Sequence, residues 1–528
     1  MATAAARYAQ LQRARNSVLN AAREAARVTI PGLIPQEGAS DPHDIAEQPY
    51  ESLGARGVNN VAAKLLLSLF PPQRPFFKLQ VDAETADQMG AKLGKAEEAL
   101  AGISRMAMAL VEVSGSRPLW MEVFRHLIVA GNILIYHPDD GSPMRVWRLD
   151  QYVVRRDAQG RMLEAVIEEE VYPSELDDAV RAAVQLDQEE PDEKGEPSDK
   201  AEEKVKLYTF VKVEGDNVIH FEEINGIEVP GSRGTANKDV SGWQALRWQA
   251  VPGSDYGRSM VTEYAGDFLS LEEGWQAVIK FAAEAARIIT IVDPNAGVDV
   301  EELAEAESGD HITGFVDKIN KLGLEKSADF TILWNVIQSI ERRVSQAFLL
   351  TANTIRDAER VTAEEIRAVA QELEDAFGGT YTVLSAEAQT PYARRVLYIL
   401  GKQGNAPAAK QLLKNVNTQI VTGFSALGQN TEVQAITEWL QGLVNLFGPQ
   451  AVAQAVDFQE VAYRTGTGRG IEDVKGMLKD PQTIANEQAG AMQQDVTSKV
   501  APEIVKGGMK ALQDNPAIQE AINAQAEQ

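Results

Sequence analysis

Thr351 to Gly379 reads TANTIRDAERVTAEEIRAVAQELEDAFGG, and its two halves obey different rules. Thr351 to Val361 is polar, with Asn353, Arg356, Asp357, Glu359 and Arg360 and little to bury. Thr362 and Glu365 then have the S/T-x-x-E spacing of a capping box, in which each side chain bonds the other residue's free backbone N–H. Ile366, Val369, Ala370, Leu373, Ala376 and Phe377 follow at three- and four-residue steps, so one helix face is apolar until Gly378-Gly379 interrupts it. A charged loop therefore feeds a capped amphipathic helix.

Two longer periodic segments precede the loop. In Ala328 to Leu350 the apolar positions are Phe330, Leu333, Ile337, Ile340, Val344 and Ala347. In Ser259 to Thr290 they are Tyr264, Phe268, Leu271, Trp275, Val278 and Ala282. Alternating three- and four-residue steps make a seam suited to a second, closely aligned helix. At 1.5 Å per residue the two helices would be roughly 35 and 48 Å long. Such seams favour self-association, with packing inside one subunit as the competing explanation.

The 528 residues are enough for several domains, and 44% apolar content fits a globular chain. The absence of cysteine excludes disulfides, thiolate metal sites and a cysteine nucleophile. A formal net charge of −26 opposes any broad grip on nucleic acid. No apolar run reaches the roughly 18 residues of a membrane span. The N-terminus, MATAAARYAQLQRARNSVLNAAREAARV, is Arg-rich and nearly free of acids. It reads as an amphipathic helix whose arginines meet acidic partners, with a transit peptide as the alternative.

The fold class expected is mainly α with an inserted α+β region. Residues 1–130 read as helical, and Tyr50 to Phe70 is a helix stopped by Pro71-Pro72. Ala83 to Glu112 and Pro118 to Val129 are further helices. From Gly131 the period shortens toward two, giving strands at Ile133–Tyr136, Met144–Leu149, Tyr152–Arg155 and Leu163–Glu170. More follow at Val205–Val213, Val218–Ile224 and Trp243–Val251. Between them Gln185 to Lys204 is an acidic stretch expected to be mobile. Asp293 to Ser327, with its glycines, separates the two long helices and reads as a short helix at Val300–Glu307 and strands at Ile312–Val316 and Leu322–Glu325. After Tyr381 the pattern is helical, and beyond Asp480 it becomes Ala/Gln-rich.

Catalytic constellations are poor. His43, His126, His137, His220 and His311 are scattered without an HxxxH pair, so no metal site and no cofactor are expected. Gly90 to Ala96 falls one residue short of a phosphate loop and lacks the hydroxyl that would hold magnesium. Gly466-Thr-Gly468-Arg-Gly470 follows no strand, and Asp139-Asp140 sits in a turn without a metal-ligating partner. Function is expected in architecture rather than catalysis.

Several segments carry a family resemblance. They are Thr29-Ile-Pro-Gly-Leu-Ile-Pro35, Gly54-Ala-Arg-Gly-Val-Asn-Asn60 with Lys64 and Leu69-Phe70-Pro71, Val129-Ala-Gly-Asn132, and Tyr152-Val-Val154 with Arg156-Asp157. Tyr256-Gly-Arg-Ser259 with Glu263-Tyr264 and Gly266-Asp267 follows, then Arg360-Val-Thr-Ala-Glu-Glu-Ile-Arg367 with Glu372-Leu-Glu374 and Gly378-Gly379. In order and spacing, over about residues 7–400, the chain resembles the portal, or head–tail connector, proteins of short-tailed double-stranded DNA phages of autographivirus-like plan.

The resemblance implies a portal-type ring subunit, typically one of twelve, at one capsid vertex of the virion. Through the ring the terminase large subunit packages double-stranded DNA, which later leaves by the same hole. Tail or adaptor proteins attach to the ring, and it meets capsid and scaffolding proteins during assembly in the host cytoplasm. Carried onto this chain, 1–252 is a wing (helical 1–130, strand-rich 131–252) and 253–292 a first stem helix. Residues 293–327 are a clip, 328–350 a second stem helix, and 351–361 a tunnel loop. A long wing helix at 362–400, a helical crown at 401–480 and a tail at 481–528 complete the chain. Arg356 and Arg360 are expected as weak brakes on DNA, with Lys280 and Arg287 lining the stem. The alternatives are another virion adaptor or internal protein without motor docking, and an enzyme such as a phage ATPase or nuclease.

Overall fold

The computed structural model describes residues 3–38, 48–72, 75–81, 93–184, 186, 204–285, 289–293, 319–322, 327–350, 363–402, 418–422, 429–468 and 477–478, with single positions at 297, 299, 301, 305, 311 and 313. These fall in two compact units, Met1–Ala426 and Leu427–Gln528.

The first unit begins with α1 (Ala4–Arg27). Thr3 caps it through its hydroxyl, and Glu223 accepts from the free N–H groups of Ala4 and Ala5, at 3.0 and 3.4 Å. This satisfies orphan donors and sets a negative charge at the positive helix end. The N-terminal arginines do meet acids, since Arg7 pairs with Glu164 and Arg27 with Glu24. Arg15 is buried and donates to the Asp150 and Tyr152 carbonyls and to the Tyr8 hydroxyl.

Helix α2 (Leu53–Leu69) ends at Phe70, where Pro71 denies the next N–H. Next come β1 (Phe77–Val81), α3 (Leu93–Val113) and α4 (Ser116–Ala130). The strand-rich stretch follows: β2 (Asn132–Tyr136), β3 (Arg145–Trp147), β4 (Tyr152–Arg156), β5 (Met162–Val171), β6 (Val205–Glu214), β7 (Asn217–Ile224), β8 (Ile227–Glu228), β9 (Gly234–Asn237) and β10 (Trp243–Arg247). One antiparallel sheet runs β4-β5-β6-β7-β8, with β9 also paired to β7, and a second runs β10-β2-β3. Helix α1 packs on the first sheet, where Ala4 and Tyr8 meet Val153 and Val166.

The free edge of β4 is blunted locally. Val154 N–H donates to the Tyr256 hydroxyl and Arg156 N–H to Asp255 Oδ1, so these two edge donors are already engaged and not offered to another strand. Asn132 locks the same junction by exchanging hydrogen bonds with the Gly257 backbone at 2.7 and 2.9 Å. Gly131 has φ +73°, and a Cβ there would lie 2.6 Å from Ser259 N, so both conformation and space demand glycine.

The long helices are α5 (Ala265–Ala285), entered through a turn at Met260–Glu263 capped by Ser259, and α6 (Ser327–Ala347). Between them lie β11 (Ile289–Val292) and β12 (Ile319–Leu322), paired antiparallel. Helix α7 (Ala363–Phe377), α8 (Thr390–Lys402) and β13 (Thr418–Thr422) complete the unit. In the second unit α9 (Gln429–Phe447) packs against α10 (Pro449–Ala455) and α11 (Phe458–Gly468).

Four expectations need correction. The first long helix stops at Ala285 instead of running to Thr290, and the β-branched Ile289, Thr290, Ile291 and Val292 form a strand, where branching at Cβ is accommodated better than in a helix. The strand expected from Leu322 already begins at Ile319, paired to that same run, while 323–325 lie outside the described residues. The region after Tyr381 is not helical throughout, because Thr418–Thr422 pairs residue by residue with Phe77–Val81. In the seams, Ala282 is exposed, and Phe348 rather than Ala347 closes the second seam in full burial. Most of Ile312–Val316 and all of 187–203 lie outside the described residues.

Candidate functional site

The paired long helices and the ground they stand on form the candidate site. Their contacts advance along α5 as they retreat along α6, so the helices are antiparallel. Phe281 stacks on Phe330 at 5.0 Å, Trp275 meets Trp334 edge-on at 5.6 Å, and Phe268 meets Phe348 edge-on at 5.5 Å. Gly274 lets the axes approach, since a Cβ there would stand 2.9 Å from Ile337 Cγ1. Polar ties flank the seam. Arg343 pairs with Asp267 at 2.6 Å on one side, and Trp275 Nε1 donates to Glu341 at 3.1 Å on the other.

Apolar side chains also point away from the seam. At 100° per residue, Leu269 and Ile279 fall on the flank of the Trp275–Glu341 tie, at 41% and 45% exposure. Tyr50, 45% exposed, joins that flank, its N–H bonded to Glu272 and its hydroxyl accepting from Gln276. Ile332 and Val336, at 65% and 50% exposure, fall on the opposite flank, beside Arg343.

The pair is acidic. α5 and α6 carry Asp267, Glu272, Glu273, Glu284, Asp329 and Glu341 against Lys280, Arg342 and Arg343. Glu51 adds a further carboxyl beside them. Burial holds it above the usual carboxylate range, the N–H groups of Leu53 and Gly54 oppose the rise, and Glu272 and Glu341 add to it.

At its C-terminal end α6 rests on α2. The Phe348 ring lies over Gly57, where a Cβ would be 2.9 Å from Phe348 Cγ. Leu349 has φ +55°, and Leu350 N–H returns to the Ser345 carbonyl at 2.8 Å, which is Schellman geometry at a position glycine usually fills. Asn60 Nδ2 donates to the Phe348 and Leu349 carbonyls at 2.9 and 3.0 Å. Lys64 Nζ donates to the Leu349 carbonyl at 3.3 Å and to Glu372 Oε2 at 2.7 Å.

Of the residues singled out from sequence, Asn353, Arg356, Asp357, Glu359, Arg360, Thr362 and Arg287 lie outside the described residues. Glu365 is in the first turn of α7, and Lys280 is exposed on α5. The Lys64 junction was visible only as part of the family resemblance. Its independent signal is a lysine set inside the apolar run VAAKLLLSLF, a place where a charge needs a partner. Asp139 of the turn pair is bonded to Lys402, and Asp140 accepts from Ser142 N–H. Among the described residues no cluster of His, Asp and Glu could hold a metal, and no helix is long and apolar enough to cross a membrane.

Over residues 1–473 the chain matches the family described as bacteriophage head to tail connecting protein. It is 35% identical over 506 residues to the portal protein of Enterobacteria phage T3, covering 94% of this chain and 92% of that one. It is 36% identical over 445 residues to the portal protein of Escherichia phage T7, covering 82% and 81%. A chain of the neck of an empty GTA particle, computed with C6 symmetry, aligns at 12% identity and a TM-score of 0.38, covering 79% and 90%.

Proposed function

Because this chain belongs to the bacteriophage head-to-tail connecting family and performs the portal function at a capsid vertex, we propose that its copies stand side by side as a dodecameric ring around a DNA channel. The observation that carries this reading is the pair of apolar flanks. Leu269, Tyr50 and Ile279 face one way and Ile332 and Val336 the other. A subunit with two different adhesive sides associates head to tail, and such contacts close into rings when the rotation permits.

In this reading the paired helices are the stem, 293–327 is the clip, and 351–361 is the loop that approaches the duplex. Residues 1–252 and 362–400 form the wing, and 401–480 the crown. The terminase large subunit docks on the ring during packaging, tail or adaptor proteins replace it, and capsid and scaffolding proteins hold the rim. The ring is a conduit without enzymatic turnover of its own.

Each lasting contact between a cation and a phosphate strengthens DNA binding through counterion release, so an acidic wall keeps the duplex free to slide. Screening confines the repulsion to about 8 Å at physiological salt, so it acts only where the wall is near. Arg356 and Arg360, with Lys280 on the stem and Arg287 in the sequence just past the end of α5, then act as local brakes. Negative-stain images and native mass of the purified chain test the ring, and a compact monomer without a central hole refutes it. Arg356→Glu with Arg360→Glu tests the brake, since packaging or retention changes while rings persist. Unchanged packaging and retention in that variant would eliminate the brake.

A further inference from the structure

Three segments far apart in sequence meet at one ammonium group. Lys64 is 1% exposed, and its Nζ is shared between the Leu349 carbonyl, at the end of α6, and the Glu372 carboxylate, in the third turn of α7. Asn60, one helical turn earlier on α2, takes the Phe348 and Leu349 carbonyls from the same side. Leu349 adopts a left-handed backbone that leucine rarely takes, and a hold from outside α6 adds to the Leu350–Ser345 bond of the turn itself. The donors of α2 supply that hold. Among the described hydrogen bonds Glu372 touches none of residues 343–350, and Lys64 bridges the two.

We propose that Asn60 and Lys64 are positioning residues that latch the end of the second long helix, and that the Lys64–Glu372 pair couples that end to helix α7. Residues 351–362 connect these two helices, so the latch sets the separation of the points from which that segment leaves and returns. Any consequence for DNA passage rests on the conduit reading above, whereas the latch itself does not.

The test is hydrogen exchange on the full-length, assembled protein, followed in peptides covering 343–350 and 363–377. Glu372→Ala raises exchange in 343–350 about tenfold, as local opening there becomes easier. A pair that only neutralises charge would confine the change to 363–377, and wild-type exchange in 343–350 overturns the latch. Lys64→Met with Glu372→Met removes both charges together and leaves no buried ion unpaired. This double variant melts near the wild type yet still exchanges faster in 343–350, and if its exchange there equals the wild type the latch is wrong. DNA packaging by the double variant is scored separately. Faster exchange with normal packaging upholds the latch and counts against the conduit role of this end of the helix.

Discussion

Ile332→Asp combined with Val336→Asp places two carboxylates on one flank of the helix pair. Fully burying an aliphatic side chain of this size is worth about 1.5–3 kcal/mol. Scaled by the 65% and 50% now exposed, the flank offers roughly 2–3 kcal/mol to a neighbour, and Leu269 with Ile279, at 41% and 45%, offers slightly less. Losing one flank alone weakens each subunit contact by about 30- to 150-fold, and burying unpaired carboxylates weakens it further. Both positions are exposed within the subunit, so its own stability changes by only about 0.5 kcal/mol. The expected species in sedimentation velocity and native mass spectrometry is a folded monomer. Leu269→Asp with Ile279→Asp behaves the same way from the other flank. Mixing the two variants gives heterodimers and nothing larger, because each retains one intact and complementary side. Rings of wild-type mass from either variant, or homodimers of either alone, would show that the flanks do not join neighbours head to tail.

Two further outcomes follow from the same packing. Lys64 is 1% exposed and Glu372 28%, so the two halves of their ion pair are not equivalent. Glu372→Ala strands a buried ammonium and costs roughly 3 kcal/mol, whereas Lys64→Met frees a carboxylate that water can reach and costs about 1 kcal/mol. Differential scanning fluorimetry should rank Glu372→Ala as the lower-melting variant, and the reverse order would contradict the burial argument. His137 is buried against Tyr392, and burial first, then the charge of Arg395, pushes its imidazole down to about 3. The unfolded chain takes that proton near pH 6.5 and the folded chain does not, so this group's contribution is full above pH 6.5 and falls as pH drops toward 3. Between pH 7 and 5 the loss is about 2 kcal/mol. His137→Phe keeps the ring stack and abolishes the loss, so its stability relative to wild type rises on acidification, and parallel pH profiles would rule the assignment out.

Much of the fold is legible from local chemistry. The Pro71 stop, the alternating strands between 131 and 252 and the two seams each depend on neighbours a few residues away. Local chemistry misleads where two local preferences compete. Continuing a helical seam through Ile289 to Val292 looked reasonable by period, but four β-branched residues in a row are better housed in a strand. The missed pairing of β1 with β13 joins Phe77 to Thr422, and neither strand alone says what it pairs with.

Local patterning along the chain is enough to read what kind of object this is: a long, cysteine-free, strongly acidic protein with two seamed helices and segments shared with phage connectors. Where its charges find their partners is set by the closed fold. Lys64 lies 308 residues from Glu372 and 285 from Leu349, and spacing along a chain carries no record of such meetings. Helical period is a property of neighbouring peptide units, whereas a buried ammonium finds its partners only after the backbone has closed around it, because desolvation makes an unpaired charge there too costly to leave.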